Sequence, residues 1–146
     1  NFWMRRKMVT KAYENALAEA FPDTDSGIQP FGSRILVQIR TAKSKTSGGI
    51  ILTTDSKDTE KWNTQIGKVI NIGPLAFKNR NTMDSWPEGQ WCNEGDFVRV
   101  PKYGGDRWEV PLDDKPSGEK AMFVIFNDLD IIGKVTGDPL KIKAFI

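Results

Sequence analysis

Hydrophobic spacing changes once along the chain. Between residues 3 and 21, Val9, Ala12, Tyr13, Ala16, Leu17, Ala20 and Phe21 recur three and four apart, while Arg6, Lys7, Lys11, Glu14 and Glu19 fall largely between them. That period predicts one amphipathic helix. Pro22 disfavours helical backbone at Phe21, and Asp23-Thr24-Asp25-Ser26-Gly27 is turn chemistry, so the helix is expected to stop there and pass into a short linker.

After Pro30 the period drops to two. Ile35, Val37 and Ile39 share one strand face, and Arg34, Leu36, Gln38 and Arg40 share the other. Further strands are predicted at Gly67 to Ile72, Asp96 to Val100, Arg107 to Val110, Ala121 to Phe126 and Ile131 to Val135, each bounded by Gly, Pro, Asn or Asp. Short strands divided by turns suggest an antiparallel barrel or sandwich rather than βαβ units. Residues 76 to 93 carry no sustained period and hold a Pro-Glu-Gly turn between Trp86 and Trp91, which predicts an excursion with aromatic anchors. Residues 111 to 120 look like a more polar surface loop.

Composition narrows the functional classes. At 146 residues with 38% hydrophobic content, one ordinary core is the expectation. The 21 basic and 19 acidic residues leave a net charge of +2, too weak a field to imply nucleic acid or anionic lipid as an obligatory partner. One cysteine, Cys92, allows no internal disulfide, so a reducing, intracellular setting is favoured. The charged N-terminal residues show neither a secretory segment nor a membrane span, and a soluble protein is expected. The first residue is Asn rather than Met, which suggests a trimmed N-terminus or a chain read out of a larger assembly.

Catalysis has little to work with. Histidine is absent, which removes the commonest general base and the Cys/His pair, and one cysteine cannot build an ordinary zinc cluster. Neither an enzyme activity nor a cofactor is expected. Carboxylate pairs at Asp113 and Asp114 or at Asp128 and Asp130 fit solvated turns better than acid–base chemistry. Gly48-Gly49 and Gly104-Gly105 lack the spacing of a phosphate loop, and a tight turn is the better reading of the second pair. Five tryptophans among Lys and Arg raise single-stranded nucleic-acid binding as a third choice, weighed against their use as core and loop anchors.

One stretch does not fit a plain surface loop. In "KTSGGIILT", residues 45 to 53, three large aliphatics follow a Gly pair in a polar bed; an ordinary core strand is the plain alternative. This stretch resembles the pattern K-S/T-x-G-G-I-V/I-L of the mobile loop in the GroES-type ten-kilodalton co-chaperonins. "IQPFGSRILVQIR", residues 28 to 40, is similar to that family's opening strand, with Ile28, Pro30, Arg34, Ile35, Leu36 and Val37 in the expected places. "GKVINIG" at 67 to 73, "EGDFVRVPKYGG" at 94 to 105 and "MFVIFNDLDIIGKV" at 122 to 135 follow in the family's order.

The resemblance implies a mainly β, GroES-like small irregular barrel, with an extra N-terminal amphipathic helix. It divides the chain into helix and linker (1–27), a barrel (28–135) with mobile loop 43–61 and excursion 76–93, and a C-terminal tail (136–146). It also implies a homo-oligomeric ring that lids a GroEL-type chaperonin in protein folding. Carried over by residue, the docking segment is Ile50, Ile51 and Leu52, with Gly48 and Gly49 permitting the turn. Burying three aliphatics gains roughly 5 to 9 kcal/mol gross, whereas ordering ten or more loop residues costs at least about 10 kcal/mol. One loop should therefore bind weakly, and a ring of loops would act by avidity.

The additions matter as much as the matches. The helix and the tail are extra to the family, and the excursion at 76–93 stands where the family has a roof hairpin that Trp86, Pro87 and Trp91 do not match. Such additions are typical of divergent or bacteriophage-encoded relatives. They raise an alternative: a structural virion protein, for capsid decoration or cement, whose partner is a shell protein and whose docking helix carries Trp3, Arg5, Arg6, Tyr13 and Leu17. The charge run Trp3-Met4-Arg5-Arg6-Lys7 at its start is more often a solvated helix start. The expected location is the cytoplasm, that of a bacterial host if phage-encoded, or the virion under the alternative.

Overall fold

The structure, a computed structural model, describes residues 2–40, 65–112 and 119–142, with side chains from Lys11 onward. Among these, one helix precedes six strands: α1 (Phe2–Ala20), β1 (Arg34–Ile39), β2 (Ile66–Ile72), β3 (Phe97–Arg99), β4 (Asp106–Pro111), β5 (Lys120–Asn127) and β6 (Gly133–Lys134). The chain is thus mainly β. Its strands form one antiparallel sheet in the order β4-β5-β1-β2-β3-β6, consistent with a small irregular GroES-like barrel.

β1 lies in the middle of the sheet because its sequence can be buried on both faces. Ile35, Val37 and Ile39 join Val69, Val98, Val124, Phe126 and Ile131 in the main core. On the opposite face Leu36 packs with Leu112, Ala121 and Phe123, and Gln38 is only 3% exposed. Gln38 tolerates burial because its side-chain amide donates to the Pro22 carbonyl at 2.7 Å, so the linker after the helix covers this face. Opposite β1, the β2 partner steps from Asn71 to Val69, a bulge that leaves Ile70 unpaired there and bends the sheet.

Two expected elements come out differently. The strand expected at Ile131 to Val135 pairs only at Gly133 and Lys134, since Asp128–Asp130 first makes a 3-10 turn. Asp128 is not in a solvated turn either. Its buried carboxylate accepts hydrogen bonds from the backbone N–H of Phe77 at 3.0 Å and of Leu129 at 2.8 Å. Phe77 has φ of 61°, a left-handed conformation costing about 1 kcal/mol or more, and the Asp128 bond helps hold it there. Asp113 and Asp114 lie outside the described residues.

The excursion is anchored by aromatics, as the sequence suggests. Trp86 and Trp91 meet edge to face at 4.8 Å and both pack against Phe77, closing one side of the main core. Its tip is open, with a single bridge between Lys78 and Ser85 and exposed residues between them. The β3–β4 turn is tight: Gly104 and Gly105 both adopt positive φ, and Arg107 donates to the Gly104 carbonyl at 2.9 Å and the Lys102 carbonyl at 3.2 Å. Partial burial lowers the Arg107 pKa, and its guanidinium sits 5.7 Å from the Phe126 ring centre.

Candidate partner-docking site

The expected docking segment, Gly48, Gly49, Ile50, Ile51 and Leu52, lies outside the described residues, as does the whole of the expected loop 43–61. Its attachment points are described. Ile39 at the end of β1 faces Gly67 near the start of β2, so Arg40 and Gln65, the residues flanking 41–64, adjoin neighbouring strands at one end of the sheet. Gln65 is held on the returning side, its carbonyl accepting from the Val100 N–H at 2.8 Å. Gly67 is needed at this point: a side chain there would strike Val37 and come within 3.2 Å of the Gln38 carbonyl.

Helix α1 meets the barrel at the same place, through its last turn. The Phe21 N–H closes that turn on the Leu17 carbonyl at 2.8 Å. Ala20 and Phe21 are buried against Ile66, with Leu17, Phe97, Val135, Leu140 and Ile142 packed around them. Phe21 and Phe97 meet edge to face at 5.0 Å. Further back, Lys11 to Asn15 are exposed, so among the described side chains the amphipathic stripe is buried at its C-terminal end.

Of the candidate docking helix, Trp3, Arg5 and Arg6 lie in α1 with their side chains outside the description. Leu17 turns into the small cluster, and Tyr13 donates its hydroxyl to Asp138 at 3.1 Å. Slight burial, together with that bond and the negative charge of Asp138, raises the Tyr13 pKa. The tail thus belongs to the same assembly. Asp138 also accepts from the Leu140 N–H at 3.0 Å, folding the tail into a turn that brings Leu140 and Ile142 onto the helix end. Arg40 reaches the Leu140 carbonyl at 3.4 Å.

Sequence reasoning missed this collar around Phe21. The only available signal was the alternation of Leu140 and Ile142 among lysines in "LKIK", which by itself names no partner.

Elsewhere the described surface offers clefts rather than chemistry. One of about 480 Å³ is lined by Glu88, Gln90, Trp91, Val98, Ile131 and Ile132, among others. The Trp91 indole N–H is buried with no acceptor. Cys92 beneath it is buried, and burial, then Asp96, push its thiol up to about 11 against the opposing charge of Lys134. A thiol so held stays protonated at neutral pH and is a poor nucleophile. Among the described residues no group of three or more His, Cys, Asp or Glu side chains is placed to hold a metal, and no helix is long and apolar enough to cross a membrane.

Comparison with known families gives a match over most of the chain. The profile of the chaperonin 10 Kd subunit aligns with residues 27–135, which contain the whole sheet and segment 41–64 but neither α1 nor the residues after Val135.

Proposed function

The chain belongs to the family of the chaperonin 10 Kd subunit, a co-chaperonin family whose partner is a GroEL-type chaperonin, and from that membership we propose that it acts as an oligomeric lid docking through Ile50, Ile51 and Leu52. The observation that carries this reading is the pairing of Ile39 with Gly67. It puts the two ends of 41–64 on adjacent strands, which is what a docking segment requires if it is to be offered and withdrawn without disturbing the sheet. The role asks for no catalysis: the lid closes a chamber and the chaperonin does the work.

Oligomer formation has support from the described surface. Phe31 and Leu129 are 73% and 71% exposed, and Ile132 is also exposed, apolar side chains that a neighbouring subunit would cover. β4 and β6 stand at the two edges of the sheet with no further strand beside them among the described residues, so each could take a neighbour.

The test is a pull-down on purified GroEL-type chaperonin with ATP present. The wild-type chain should be retained and Ile51→Asp lost, because one charge in the apolar triplet carries a desolvation cost that no loop contact offsets. Retention of Ile51→Asp at wild-type levels overturns the docking role.

A second reading, a virion structural protein for capsid decoration or cement, draws on the additions. α1 and the tail lie outside the matched span and pack on one another, as docking arms on a borrowed barrel would. Particle stoichiometry separates the two, since a free ring and a decorated shell differ in mass and symmetry.

A further inference from the structure

The two additions to the family barrel converge on a single spot, and that spot is where 41–64 is attached. Phe21 and Ala20 cover Ile66 on the returning strand, the Pro22 carbonyl takes the Gln38 amide on the outgoing strand, and the Leu140 carbonyl takes Arg40 just beyond it. The main core shares no residue with this cluster, so the barrel has its own packing and the collar is additional. We propose that Phe21 is a positioning residue: wedged between Ile66, Phe97 and the tail, it fixes the returning attachment point of 41–64 at Ile66 and, through the neighbouring Pro22 carbonyl on Gln38, holds the outgoing one beside it. This rests on the docking reading above.

The physical ground is pre-organisation. Strand pairing sets the distance between Ile39 and Gly67 but leaves the last residue of each strand prone to fraying. A tie on each side, Gln38 to the linker and Ile66 beneath Phe21, removes that freedom before any partner arrives. A partner then has less disorder to remove on binding. Freeing even one further residue on each loop should weaken association about tenfold.

The test uses the full chain with four substitutions: Phe21→Ala, Phe21→Leu, Gln38→Met and, as a control for stability alone, Ile131→Val in the main core. Two quantities are read: hydrogen exchange of the amides at 38–40 and 65–67 in the free protein, and affinity for the ATP-bound chaperonin. Phe21→Ala and Gln38→Met should speed exchange at those amides and weaken binding about tenfold. Phe21→Leu should restore both, and Ile131→Val should change neither. Unchanged exchange in Phe21→Ala overturns the positioning role whatever the partner. Faster exchange with wild-type affinity, in a background where Ile51→Asp abolishes binding, also overturns it. Failure of the docking reading shows differently, as wild-type binding by Ile51→Asp.

Discussion

The main core and the collar are both apolar clusters, but they are built on different scales. In the core, Ile35, Val37, Ile39, Val98 and Val124 are completely buried and drawn from strands paired along most of their length. In the collar only Ala20, Phe21 and Ile66 are fully covered, and their neighbours Leu17, Phe97, Val135, Leu140 and Ile142 remain half open. Side chains in the first region are redundant, so losing one costs energy without changing the arrangement. In the second a single ring holds two chain segments together, so losing it changes the arrangement at little global cost. Stability and presentation can therefore be varied separately.

The contrast is broken most forcefully from the barrel side. Phe123→Ala empties a fully buried site packed on Leu36 and stacked 5.9 Å from Trp108, and should cost about 3–5 kcal/mol by chemical denaturation. A loss as small as the one Phe21→Ala produces would mean that the two regions are alike after all.

A smaller effect comes with pH. In the folded chain the Cys92 thiol is raised from its ordinary 9.0 to about 11, so the folded state keeps a proton that the unfolded state gives up between those values. Its contribution is complete below pH 9 and is lost as pH rises toward about 11. The wild type should lose more stability than Cys92→Ala over that interval, measured as the difference in denaturation midpoint. Equal slopes would show the thiol to be less enclosed than the core around it.

The smallest effect belongs to the rim of the collar. Tyr13→Phe removes the exposed bond to Asp138 and should cost about 0.5 kcal/mol at most, while raising exchange in the middle of α1. In the wild type the same tie should weaken in alkali, because the raised Tyr13 pKa marks a bond that needs the neutral phenol. It is present below the ordinary value of 10.0 and is lost as pH climbs through the folded value. A large stability change in Tyr13→Phe would place α1 within the cooperative core.

How far the sequence foretold each region follows the same division. The period of two in "RILVQI" located β1 and its core face, because alternation is a local property that the ladder preserves. Burial of Leu36 and Gln38 was not legible, since what covers them arrives from Leu112, Ala121 and Phe123 and from Pro22. Asp128 looked like any turn aspartate because nothing near it in the chain announces the Phe77 N–H it accepts from, 51 residues away. The two tryptophans were legible as anchors, but their meeting on Phe77 was not. For the collar, the helix was foreseen and its packing missed: among the described side chains the stripe is buried at its last turn, while Ala12 and Tyr13 stay exposed and Tyr13 reaches Asp138 only through its hydroxyl.

The position of β1 also sets a timetable for making the protein. Its central pairings are with β2 on one side and with β5 on the other, where Ile35 waits for Phe126 and Ile39 for Met122. Tyr13 waits longer still, 125 residues, for Asp138. A chain emerging N-terminus first therefore exposes α1 and its Phe21 early, yet can complete neither sheet nor collar until the last strands are free of the ribosome. Contacts this distant in sequence are slow to form, and the half-made chain carries bare strand edges meanwhile. A protein proposed to help others fold is itself, by its topology, a slow and vulnerable folder.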